Sequence, residues 1–141
     1  MIMSYVDARL EFSSAQALTA TADSTNVVDL TQTARQIGAG QPMWVHFNVT
    51  VAADTGNSDE TYQFNIATGS AATLGTKIAT MDIPRGTLVA GYTFSMAVPV
   101  ERMERYVGVE YVLGGTSPSI TVDAYLSDQE PYTWTSYADA I

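Results

Sequence analysis

Met43-Trp44-Val45-His46-Phe47-Asn48-Val49-Thr50-Val51 decides the fold class. Met43, Val45, Phe47, Val49 and Val51 fall on one side, and Trp44, His46, Asn48 and Thr50 on the other. Side chains in an extended chain point alternately to opposite faces, so this stretch predicts a strand with one apolar face. The same period of two returns outward along the chain. Tyr62, Phe64 and Ile66 alternate with Gln63 and Asn65, and Tyr92, Phe94, Met96 and Val98 with Thr93, Ser95 and Ala97. Val107, Val109, Tyr111 and Leu113 form one face of a further strand, and Ile120, Val122, Ala124 and Leu126 one face of the last.

Turn chemistry separates these runs. Asp54-Thr55-Gly56-Asn57-Ser58-Asp59 reads as a polar loop, Pro84-Arg85-Gly86 as a turn, and Gly114-Gly115-Thr116-Ser117-Pro118 as a hairpin connection. Asn26–Leu30 reads as a short strand, Ala17–Ala22 as its neighbour, and Lys77–Ile83 as a weaker edge strand. About eight short antiparallel strands predict an all-β, two-sheet sandwich, with a jelly roll preferred over an immunoglobulin-like topology. The expected division is an N-terminal arm over 1–16, the sandwich over 17–126 and an acidic aromatic tail over 127–141.

Composition narrows the function. The 141 residues contain no cysteine, which excludes disulfides, thiol nucleophiles and cysteine-held metals. The formal net charge is −9, with one lysine and five arginines, so no basic stripe is present to meet nucleic acid or an anionic membrane. No run of about 18 apolar residues spans a bilayer. The first residues lack the basic and apolar regions of an export signal, so synthesis in the cytoplasm is expected.

Reactive centres are hard to assemble. His46 is the only histidine and sits mid-strand, so a triad or a histidine-rich metal site cannot form around it. It is expected on a solvent-facing or interfacial sheet face. The Asp54–Glu60 loop is rich in oxygen ligands but departs from the EF-hand order, and hairpin loops use the same residues. Gly38-Ala39-Gly40 precedes a strand, where a phosphate loop would precede a helix. The sequence therefore predicts no enzyme, cofactor or metal, and leaves surfaces as the working parts. Candidate contacts with a partner surface or between copies of the chain are the aromatic and apolar residues Tyr5, Val6, Phe12, Trp44, Tyr132, Trp134 and Tyr137. The alternative is a carbohydrate- or host-surface-binding sandwich, with Trp44, Tyr125, Trp134 and Tyr137 stacking on sugars.

The chain resembles the small jelly-roll capsid cement (decoration) proteins of tailed double-stranded DNA phages. The resemblance lies in Ser4-Tyr5-Val6-Asp7-Ala8, Ser24-Thr25-Asn26-Val27-Val28-Asp29-Leu30 and Ile37-Gly38-Ala39-Gly40-Gln41-Pro42-Met43-Trp44-Val45. It continues through Leu88-Val89-Ala90-Gly91-Tyr92, Arg105-Tyr106-Val107-Gly108-Val109-Glu110-Tyr111 and Val112-Leu113-Gly114-Gly115-Thr116, and then Ser119 to Leu126. Val51 to Met81 and the end after Gln129 carry little of it. The resemblance implies a homo-oligomer, a trimer by preference, on the outer surface of a virion, bridging neighbouring major capsid protein subunits. It brings no catalytic residues. Removing residues 1–12 is then expected to abolish shell binding while leaving the sandwich folded.

Overall fold

The computed structural model describes residues 7–31, 40–99 and 103–129. Of the expected contacts, Tyr5, Val6, Tyr132, Trp134 and Tyr137 lie outside the described residues. The strands are β1 (Glu11–Leu18), β2 (Ala22–Asp23), β3 (Val28–Asp29), β4 (Trp44–Val51), β5 (Thr61–Gly69), β6 (Thr76–Ile83), β7 (Thr93–Ala97), β8 (Tyr106–Gly114) and β9 (Ile120–Ser127).

One sheet has the order β1-β9-β4-β7 and the other β2-β8-β5-β6, with every pairing antiparallel. β2 pairs with Glu110 and Tyr111, and β3 with Val107 and Tyr106, so the two share one edge position beside β8. Four positions per sheet result, and the chain crosses from sheet to sheet at nearly every step. That interleaving is a jelly roll. Ser24 fills the break between β2 and β3: its Oγ accepts from the Val109 amide at 3.1 Å and donates to the Asn26 carbonyl at 2.8 Å. Gly108 lies opposite, where a Cβ would stand 2.9 Å from Leu74 Cδ1, 3.0 Å from Val27 Cγ1 and 3.1 Å from Ser24 Oγ.

The two inner faces meet in an aromatic cluster. Phe47 of β4 stacks on Phe94 of β7, ring centroids 4.7 Å apart. Phe64 of β5 reaches across the sandwich to meet Phe94 edge-on at 4.9 Å and Phe47 at 5.7 Å, and Tyr111 packs on Phe64 at 5.9 Å. Such offset and edge-to-face contacts suit the ring quadrupole. The Tyr111 hydroxyl is buried and bonds to Ser13 Oγ at 2.8 Å, a polar bridge between β8 and β1 through the core.

Several expectations need correction. The first strand is Glu11–Leu18, so the sandwich begins at 11, inside the segment expected to be an arm. Phe12 is fully buried in the core and cannot serve as an outward contact. Its strand escapes detection because the register with β9 shifts twice, between Glu11 and Ser13 and between Ser13 and Gln16. Ala15 stands at φ +46° within the second shift, and its freed amide donates to Asp123 Oδ1 at 2.6 Å. Such bulges scramble the period of two. The strand expected over Asn26–Leu30 is two residues long. Val51 is 58% exposed although it belongs to the apolar set of β4, because a register shift between Val49 and Val51 turns it outward. The Gly114–Pro118 connection joins β8 to β9, which lie in different sheets, so it is a crossing and not a hairpin.

Candidate functional site

Two places on this frame gather polar and aromatic side chains. The first is one end of the β1-β9-β4-β7 sheet. Glu11 pairs with Tyr125 where β1 begins, and Trp44 pairs with Ser127 and Ala97 where β4 begins and β9 and β7 end. Asp7–Glu11 enters the fold here, and Ser127–Gln129 leaves it. Asp7 accepts from the Arg9 amide at 2.9 Å and thereby caps the short 3-10 turn Ala8–Leu10 that leads into β1. Gln41 Nε2 donates to Asp128 Oδ2 at 2.8 Å, tying the approach of β4 to the exit of β9. Trp44 is half-buried at this end.

His46 is on the outer face of this sheet, as its alternation with Phe47 requires, but it is buried, not solvent-facing. The cover comes from Tyr125, whose ring centroid lies 5.2 Å from the imidazole, and from Gln129. The Gln129 carbonyl can only accept, so His46 Nε2 carries the hydrogen in that 2.9 Å bond, and Nδ1 accepts from the Ser95 hydroxyl at 2.7 Å. Burial lowers the His46 pKa below 6.5, with the Gln129 bond pulling weakly the other way. The depressed pKa has a consequence for stability. The advantage of the neutral folded ring is fully present above the unfolded value near 6.5 and is lost as pH falls through the folded pKa. The melting temperature is therefore expected to drop between pH 7.5 and 5.5. His46→Gln should remove most of that slope, and an equal slope in the variant would assign it elsewhere.

The second place is a cleft of about 760 Å3 between the β4–β5 loop and the 3-10 turn Arg85–Thr87, lined by Thr55, Ser58, Glu60, Tyr62, Asp82 and Arg85 among others. The loop's carboxylates mostly serve its own turns. Asp54 Oδ1 accepts from the Gly56 amide at 2.9 Å. Asp59 accepts from the Thr116 amide at 3.0 Å and hydroxyl at 2.8 Å, and these bonds hold its carboxyl below the usual range. Among the described residues no three His, Cys, Asp or Glu side chains converge on a point that would hold a metal. Glu60 is the exception to the exposed-loop expectation. Its side chain is fully buried; Oε1 accepts from the Asn57 amide at 2.7 Å. Oε2 has no hydrogen-bond partner, and Arg85 Nε stands 3.8 Å away. Sequence reading missed this residue, because the Arg85 and Gly115 that pack beside it come from distant parts of the chain.

Fold and surfaces together define a jelly-roll module with an aromatic-bearing end and an acidic cleft. The family model Bbp16 matches residues 12–126, from the first buried residue of β1 to the last residue but one of β9. The chain belongs to the Bbp16 family, and that membership points to a phage-related protein. No curated protein matches the sequence.

Proposed function

We propose that the protein is a virion structural subunit that binds the outer surface of a phage capsid and cements neighbouring major capsid protein subunits, without catalysis. The observation that carries this reading is the convergence of Asp7–Glu11, Trp44 and Ser127–Gln129 at one end of a single sheet. A rigid sandwich whose flanking segments depart side by side can grip two subunits at once, with Tyr5 and Val6 before the fold and Tyr132, Trp134 and Tyr137 after it as the anchors. Membership of the Bbp16 family supports the same reading, as it points to a phage-related protein. Assembly as a homo-oligomer, a trimer by preference, would multiply contacts that are individually weak, because the second docks at high effective concentration.

Shells stripped of this chain provide the test. The intact protein should co-sediment with them and raise the temperature at which they disrupt. Removing residues 1–6, or separately 130–141, should weaken co-sedimentation by about tenfold or more, a loss of roughly 1.4 kcal/mol per grip. Undiminished binding by both truncated forms would refute the clamp.

A further inference from the structure

We infer that the cleft between the β4–β5 loop and the Arg85–Thr87 turn receives a guanidinium group, the arginine side chain of a partner protein, which displaces Arg85 from the buried Glu60 oxygen that makes no hydrogen bond. The inference rests on the shell-binding reading only for where that arginine comes from. A buried carboxylate oxygen is an expensive group to leave without a donor. Glu60 has one oxygen satisfied by the Asn57 amide, and the other makes no hydrogen bond and has only a long ion pair to Arg85. Arg85 covers that oxygen without bonding to it: its Nε is 3.8 Å away, beyond hydrogen-bond range, and its side chain is 37% exposed. A cover held this loosely can move aside. Arg85 also lies within electrostatic reach of Asp59, which offers it a second carboxylate when it moves.

The chemistry of the lining selects the ligand. Asp82, whose Oδ1 accepts from Gln63 Nε2 at 2.9 Å, adds a second carboxylate, so the lining holds two acids against the one base Arg85 and disfavours an anion. A sugar would want an open aromatic face, yet Tyr62 is buried, with its hydroxyl held between the Asp54 and Ser119 carbonyls at 2.9 and 3.1 Å. A divalent cation lacks a third converging carboxylate. What remains is a positively charged donor, and a planar guanidinium can spread several N–H groups over Glu60, Asp82 and the hydroxyls of Thr55 and Ser58. The volume falls within the range of about 300–1,000 Å3 typical of ligand pockets. The position also suits a protein partner, since among the described residues β6 is the edge strand of its sheet beside the cleft.

Titrating the isotope-labelled protein with N-acetyl-arginine methylamide, followed by amide NMR, tests the site. Saturable shifts are expected at Asn57, Glu60, Thr61 and Gly86, and the uncharged N-acetyl-citrulline methylamide should bind about tenfold more weakly. Glu60→Gln should abolish the shifts, and Arg85→Ala, which removes the cover, should strengthen binding. Absence of saturable shifts, equal binding of citrulline, or weaker binding by Arg85→Ala would each overturn the inference; the last variant keeps the test open should Glu60→Gln fail to fold. Shell co-sedimentation separates the two readings. Arginine binding by the cleft with no shell binding by the intact protein would sink the capsid reading and leave the cleft standing. Full shell binding by folded Glu60→Gln would sink the capsid as the source of the arginine.

Discussion

Phe12→Ala should cost about 3–5 kcal/mol of folding stability, the usual loss for truncating a fully buried phenylalanine, and lower the melting temperature by roughly 10–15 °C for a chain of this size. The ring lies in the core with no exposed surface, on the first strand of the sandwich. Equilibrium urea unfolding measures the effect. Removal of residues 1–6 is the matched control and should change stability by less than about 0.5 kcal/mol, since it spares β1. The pair separates a core residue from a contact residue. A Phe12→Ala protein as stable as the wild type, with its loss confined to shell binding, would restore Phe12 to the arm. The same reasoning revises the truncation suggested by the sequence. Cutting at residue 12 removes the start of β1 as well as any arm, so its effect on shell binding could not be told from unfolding.

A comparable loss is expected from Gly115→Ala. Gly115 sits at φ +89°, and a Cβ there would run into the backbone of Asp59 and Glu60. Neither obstacle is the flexible end of a side chain. Backbone strain of about 1–3 kcal/mol and a steric term of similar size together predict a loss of about 2–5 kcal/mol. Gly86→Ala provides the contrast, as φ is not positive there and the added carbon meets nothing within 4 Å. Its stability should stay within about 0.5 kcal/mol of wild type. Equal unfolding midpoints for the two variants would show that the crossing after β8 does not press on the β4–β5 loop.

What was legible in the sequence follows the regularity of each strand. β4, β5, β8 and β9 announce themselves because each keeps one face in the core for most of its length, and the period of two survives. β1 does not, because two register shifts and the positive φ at Ala15 place Phe12 and Ser13 inward in succession. β3 shrinks to two residues where Ser24 supplies with its side chain what a backbone ladder would otherwise provide. The outward side of β4 was correctly assigned for His46, but its burial was not, since the cover comes from Tyr125 and Gln129 far along the chain. Glu60 failed for the same physical reason. Loop composition says that a turn is present; it cannot say that another segment will close over one carboxylate.

β1 takes its partner from β9, the strand made last among those described. On the ribosome Glu11–Leu18 therefore emerges well before its sheet neighbour, which is absent until Ile120–Ser127 has been synthesised. Pairings this distant in sequence form slowly and expose strand edges meanwhile. Newly made chains are thus most open to self-association in that interval, and completion of β9 ends it.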